Sequence, residues 1–313
     1  MYGARVPVDW PDEIDEFLAG DLAAGFAYLT PARGVVITPM APLALRDREA
    51  GTVTLSTSLG LWKKLDRIRR RRGVALVYHA REHGLTDRPG VVSVQGRAHF
   101  DPEPDRAWLE SITPEWERFL GPRKTGLAGR MLDVYYWQRV AIVIEVERIV
   151  AWADDLAAGE PVVLGSPRPA PPEPQKAPAK GTGPRVDVEK AAEQVARLPH
   201  TLLGWCGSDE MPEVVPVAGA RAAEAGLELD VPAAAMLREG GRRAGLTAHA
   251  FHPRMVGQEQ RVHTGWLEVA DGRATYAPHT RAGYRLPPSD ALFVLGSASL
   301  ATRMRAARKA GLA

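Results

Sequence analysis

Cysteine is nearly absent: Cys206 is the single thiol in 313 residues. One thiol excludes an intrachain disulfide and any multi-cysteine zinc site. Its surroundings, Leu-Gly-Trp-Cys-Gly, read as a small buried hydrophobe rather than a nucleophile. A dominant charge is also missing. Forty Lys and Arg against 38 Asp and Glu leave a formal net charge of +2, which excludes a dedicated nucleic-acid binder and makes any polyanion site local. Long apolar runs are missing too, since stretches such as Val140 to Val146 are strand-sized and far short of the ~20 residues of a membrane span. The first residues turn acidic at Asp12-Glu13 without the apolar core of a secretion signal, so the expectation is a cytosolic protein. No G-x-S-x-G elbow, no phosphate loop ending in Gly-Lys and no G-x-G-x-x-G fingerprint occurs.

What is present is ordinary globular composition, 45% hydrophobic and 25% charged, enough for a sizeable core. The length is about twice a typical domain of roughly 150 residues, so two domains are expected. Proline marks the break between them. Residues 158–186 contain Pro-Arg-Pro-Ala-Pro-Pro-Glu-Pro and then Ala-Pro-Ala-Lys-Gly-Thr-Gly-Pro, a stretch unsuited to regular ladders that reads as an extended, mobile linker. Residues 10–157 and 187–313 are the expected domains.

The halves repeat each other. Val35-Val36-Ile37-Thr38-Pro39 has a counterpart in Val214-Val215-Pro216, and the alternating run Gly51 to Thr57 has one in Gly226 to Pro232. Arg71 to His79 matches Arg242 to His249, and Val91 to Gly96 matches Arg261 to Gly265. Each half opens with an acidic helix, at Asp12 to Asp21 and at Val188 to Leu198. A short helix is expected within each strand series, at Leu59 to Arg72 and at Ala234 to Arg243. A further helical stretch, Pro104 to Leu120, precedes a long buried strand, Gln138 to Trp152. Many short strands with few helices and no regular βαβ alternation predict a mainly β, α+β chain: two tandem β-barrels with short attached helices.

The segment richest in chemistry is Leu55 to Arg72. Three hydroxyls, Ser56, Thr57 and Ser58, end a strand just before a helix carrying Lys63 and Lys64. A helix start with free N–H groups and nearby cations suits a phosphate, and Ser58 is a natural cap. On residue types alone the segment reads equally as a solvated basic helix beside a Ser-rich turn.

In their order, Val-Val-Ile-Thr-Pro, Thr-Leu-Ser-Thr-Ser, Lys63-Lys64-Leu65, the strand Val74 to His79, Gly96-Arg97-Ala98 and the closing strand Arg139 to Trp152 resemble the pyridoxamine 5'-phosphate oxidase-like split-barrel flavoproteins. The resemblance spans residues 12 to 155 well and 188 to 305 weakly. It implies a six-stranded split barrel that pairs as a dimer, with a flavin in the groove between barrels. The cofactor it implies is FMN or the deazaflavin coenzyme F-420. Val36 and Thr38 would lie beside the ring, and Ser56, Thr57, Ser58, Lys63 and Lys64 would hold the phosphate. Two linked barrels would form that pair within one chain, or two chains would pair as a homodimer.

The second half departs at these positions, with Val231-Pro-Ala-Ala-Ala235 in place of the hydroxyls and Arg242 and Arg243 as the remaining phosphate-binding candidates. It has its own polar set, His249, His252, His263 and His279, which fits metal, haem or substrate binding or a plain structural role, without a recognised metal spacing. Trp62, Tyr136 and Trp137 could stack on a ring or simply fill the core. The expectation is one flavin site, built mainly by the first half of an oxidoreductase acting on a small molecule, with no metal, nucleic acid or membrane partner. A flavin carries its own hydride chemistry and needs no protein nucleophile, so the catalytic residues stay unassigned. The competing expectation is a non-catalytic protein that binds or senses a cofactor or haem in the same groove.

Overall fold

The computed structural model describes residues 6–81, 84–231, 237–252 and 257–286, with residues 304, 307, 309 and 311 near the C-terminus. The first sheet contains β1 (Ala24–Leu29), β2 (Val35–Met40), β3 (Arg46–Asp47), β4 (Thr52–Ser58), β5 (Gly73–Tyr78), β6 (Val91–His99), β7 (Arg139–Trp152) and β8 (Val162–Gly165). The second contains β9 (His200–Cys206), β10 (Pro212–Pro216), β11 (Gly219–Ala223), β12 (Gly226–Asp230), β13 (Gly240–Ala250), β14 (Glu259–Ala270) and β15 (Arg273–Arg285). Their strand orders are β2-β1-β5-β6-β7-β4-β3, with β8 added on β7, and β10-β9-β13-β14-β15-β12-β11. Replacing each strand of the first series by its counterpart in the second reproduces the second order. All four sequence pairs noted above fall on counterpart strands. The fold is α+β: two tandem split barrels with short helices.

The helices fall largely where the acidic and amphipathic stretches place them. They are α1 (Asp12–Gly20), α2 (Trp62–Arg70), α3 (Arg106–Ser111), α4 (Thr113–Leu120), α5 (Gly126–Met131), α6 (Asp133–Trp137) and α7 (Val188–Ala196). Helix α2 buries Leu65 and Ile68 against the first core, as its spacing requires. The helix expected at Ala234 to Arg243 is not formed as such. Gly240 to Arg243 open β13, because adjacent glycines disfavour a helix, while residues 234–236 lie outside the described residues.

The same irregularity recurs in both barrels. The β6–β7 ladder shifts register at Gln95/Gly96, and the β14–β15 ladder shifts at Thr264/Gly265. A Cβ on Gly96 would lie 2.0 Å from the Glu145 carbonyl oxygen, and one on Gly265 2.1 Å from that of Ala277. Both bulges therefore require glycine.

The barrels pack on each other reciprocally. Strand β2 crosses β13, and its counterpart β10 crosses β5, the pattern of a self-complementary interface. Thr247 Oγ1 donates to the Ile37 carbonyl at 2.9 Å, and Gln95 Nε2 to that of Pro212 at 2.8 Å. Buried Arg148 reaches Asp209 at 2.8 Å and Glu213 at 3.6 Å across the seam.

The proline-rich stretch does make ladder bonds, contrary to expectation: Val162–Gly165 pairs with β7. The residues after it are also tied down. Pro167 and Ala170 carbonyls accept from Arg148 and Ser208 at 2.9 Å each, and Gln175 bonds to the backbone of Gly241 at 2.7 Å and of Arg33 at 3.2 Å. Proline lacks an N–H, but its carbonyl still accepts, so the segment lies as a strap over the seam.

Candidate functional site

Strand alternation decides which of the three hydroxyls converge. Thr57 shares the face of Val53 and Leu55, which lines the first barrel's core, whereas Ser56 and Ser58 face the other way. Ser58 Oγ accepts from the Gly60 amide at 3.1 Å and caps the single 3-10 turn Leu59–Leu61. The α-helix begins only at Trp62 and has no side-chain cap. That extra turn sets which lysine faces inward: Lys63 is exposed, while Lys64 is 4% exposed.

Around Lys64 the structure assembles a buried cationic cluster. Its Nζ lies 3.2 Å from Met40 Sδ and 5.8 Å from the centre of the Phe26 ring. Burial, with a smaller contribution from Arg139, pushes its pKa down to about 7. Arg139 is itself buried. It donates from Nε and Nη2 to the Ser56 hydroxyl and carbonyl, each at 2.8 Å, and its guanidinium lies 4.7 Å from the Trp116 ring and 5.4 Å from that of Tyr135. Among the described residues no carboxylate pairs with Lys64 or Arg139. Thr57 Oγ1 is buried without a hydrogen-bond partner. Two neighbouring buried cations are costly unless an anion neutralises them, so Lys64 and Arg139 fit a phosphate.

The other expected site residues are more scattered. Val36 is buried in the first core, and the half-buried Thr38 hydroxyl donates to the Phe26 carbonyl at 3.4 Å. Both lie on β2, the strand covered by the second barrel. Arg242 is buried in β13 and gives a hydrogen bond to the Arg238 carbonyl, while its Nε and Nη1 have no partner. Arg243 holds the strap through Gln175 Oε1 and the Lys176 carbonyl at 3.2 and 3.3 Å. Of the segment Val231 to Ala235, residues 232–235 lie outside the described residues. Trp62 packs on the first core, Tyr136 is buried and accepts from the Lys124 amide at 3.1 Å, and Trp137 is covered by the guanidinium of Arg106, 3.3 Å from its ring centre.

The second-half histidines do not form one constellation. His249 meets His79 instead, Nε2 to Nε2 at 2.8 Å, with the His200 ring 5.2 Å away. His79 directly follows β5 and His249 holds the counterpart position near the end of β13, so equivalent residues touch where the barrels meet. His79 Nδ1 lies 3.0 Å from the Val77 carbonyl, which places the proton there and makes His249 the donor of the shared bond. Burial, then the neighbouring imidazoles, pushes both pKa values down, that of His79 to about 3. His263 is buried separately on β14, and His279 bonds to the Thr182 carbonyl at 3.2 Å. Among the described residues no group of three or more His, Cys, Asp or Glu is arranged to hold a metal ion. No described helix is long and apolar enough to cross a membrane.

Sequence reasoning passed over Arg139. The available signal was an arginine heading an otherwise apolar strand; what it lacked was the contact with Ser56, 83 residues away in the chain.

No protein-family model matches the chain, and no curated protein does. Solved structures similar to it include the conserved hypothetical protein Rv2991 of Mycobacterium tuberculosis, 24% identical over 49% of this chain and 90% of that one, with a TM-score of 0.36. A putative pyridoxamine 5'-phosphate oxidase of Listeria innocua is 17% identical over 46% and 98%, at 0.32. A pyridoxamine 5'-phosphate oxidase-related, FMN-binding protein of Nostoc punctiforme is 8% identical over 47% and 85%, at 0.30. Each covers about half of this chain.

Proposed function

We propose that the chain is a cytosolic oxidoreductase that binds FMN or the deazaflavin coenzyme F-420, with the phosphate held in the first barrel. The observation that carries this reading is the pair Lys64 and Arg139, buried together and without a carboxylate among the described residues. Such a flavin, when bound, accepts or donates hydride at its own ring system. The protein's part is binding and orientation. Lys64 in its protonated form supplies a point charge, and Arg139, fixed by its two bonds to Ser56, supplies a preoriented fork. Trp116 and Tyr135 cover the guanidinium and keep water from screening it. The two barrels act as the two members of a pair within one chain, with β2 and the facing β13 bordering the place for the ring. His79 and His249, neutral and bonded to each other, act as packing groups of the seam.

The absorption spectrum of the purified protein, followed by titration with each coenzyme, tests the reading. A flavin gives a band near about 450 nm and the deazaflavin one near about 420 nm. Failure of both coenzymes to bind at about millimolar concentration overturns it, and a haem band in its place selects the binding or sensing alternative.

A further inference from the structure

The run Arg69 to Arg72 plays no part in the phosphate pocket, because it lies at the opposite end of α2. Its Arg70, Arg71 and Arg72 border a cavity of about 510 Å³ that Arg67, Arg97 and Glu210 also line. Five guanidinium groups thus face one carboxylate. Asp66 engages Arg69 and Arg70, both at 3.1 Å, and Glu147 engages Arg97 at 3.3 Å. Arg67 and Arg72 have no carboxylate partner among the described residues: Arg67 lies 5.9 Å from the Tyr28 ring, and Arg72 donates to the Ala98 carbonyl at 3.2 Å. The cluster exceeds what a helix C-terminus needs for its dipole, since Arg71 and Arg72 lie past the helix end and Arg97 arrives from β6.

The second barrel supplies the other wall. Glu210 sits in the β9–β10 turn with a φ of +62°, and Gly73 is packed so closely beneath it that a Cβ there would lie 2.3 Å from the Glu210 carbonyl oxygen. The turn holds the Glu210 carboxylate 3.3 Å from Arg71. A carboxylate fixed at the rim of an otherwise cationic cavity is an internal competitor for any anion that enters.

We propose that this cavity binds a small ligand through a di- or triphosphate group, with Arg67 and Arg72 as its main contacts and Glu210 as the group it displaces from Arg71. Guanidinium forks match phosphate oxygens bidentately, and the volume lies in the range of small-molecule sites. The near-neutral whole chain and the concave, two-barrel wall favour a small anion over a nucleic acid.

Calorimetric titration of the full chain with inorganic pyrophosphate and triphosphate tests this. Triphosphate is expected to bind more tightly than pyrophosphate and to weaken with added salt. Arg67→Gln and Arg72→Gln are each expected to lower the affinity about five- to tenfold, with Arg273→Gln, an exposed arginine elsewhere, unchanged. Glu210→Gln is expected to raise it several-fold. Adenosine triphosphate run beside inorganic triphosphate separates a nucleotide from free polyphosphate, and binding of either supports the site. Several results overturn the proposal: no binding at about 5 mM triphosphate, equal losses in Arg273→Gln, no gain in Glu210→Gln, or binding confined to an oligonucleotide. Loss of triphosphate binding in Lys64→Ala rather than in Arg67→Gln moves the anion to the first pocket and overturns it as well.

Discussion

The two barrels share a strand order but treat the link between their long closing strands differently. In the second barrel β14 turns into β15 through Asp271-Gly272, both at positive φ (+50° and +69°), a tight hairpin of the kind that Asp-Gly favours. In the first, residues 100–138 intervene and carry α3 to α6. Strand β7 begins at Arg139 opposite Ser58, the last residue of β4, and the added helices bring Trp116 and Tyr135 over that arginine. Strand β15 begins at Arg273, one residue before Ala274 faces Leu229 of β12, which leaves no place for an equivalent of Arg139. The barrel is thus a repeated scaffold, and the cover over the Lys64–Arg139 cluster comes from an insertion in one copy.

The sharpest way to test that equivalence is acid. His79 and His249 have folded-state pKa values below the ordinary imidazole value of about 6.5, so the unfolded chain takes up more protons as the pH falls. Their contribution to stability is complete above about pH 6.5 and is lost as the pH falls, that of His79 down to about 3, by up to about 1.4 kcal/mol per pH unit for each imidazole. Asp21, pushed up to about 6 by burial, acts in the opposite sense between its ordinary value and 6. His79→Gln and His249→Gln should each flatten the acid limb of urea-unfolding stability by a similar amount. A change in one variant alone would break the symmetry of the contact.

Next in size are the bulges. Gly96→Ala and Gly265→Ala should each destabilise by about 1–3 kcal/mol, because a methyl group must displace a backbone carbonyl. Thermal unfolding of both variants checks whether the repeat carries equal weight in each half. The pocket, by contrast, predicts inequality. Lys64→Ala and Arg139→Ala should weaken coenzyme binding about ten- to a hundredfold, Arg242→Ala should leave it unchanged, and Lys63→Ala should matter little. Affinity for the phosphate should also fall as the pH rises above about 7, where free Lys64 loses its proton. The smallest effect is expected at Thr247. Its counterpart in β5 is Val77, so Thr247→Val makes the seam more symmetric at a cost of about 0.5–1.5 kcal/mol for the bond to Ile37, measurable by chemical denaturation.

The fold was legible where local chemistry is strict. Alternating runs, with Gly96 and Gly265 in matching positions, are enough to align the barrels. The candidate site was legible only in part. Choosing Lys64 over Lys63 depends on the 3-10 turn before α2, which shifts the helical phase. The role of Arg139 depends on a partner far away in the chain. The basic run at Arg242 resembles the helix of the first half, but Gly240-Gly241 tips it into a strand. The strap could not be foreseen either, because its partners Arg33, Ser208 and Gly241 come from both barrels.

That strap also changes how the seam responds to dilution. Free protomers separate when their concentration falls below the dissociation constant. Joined by a short strap, the second barrel stays near the first at an effective concentration that reaches the millimolar range for short linkers. A site completed by both barrels then stays whole in a scarce protein. Each side of the seam, encoded once rather than twice, is free to change alone, as Thr247, whose counterpart is Val77, already shows.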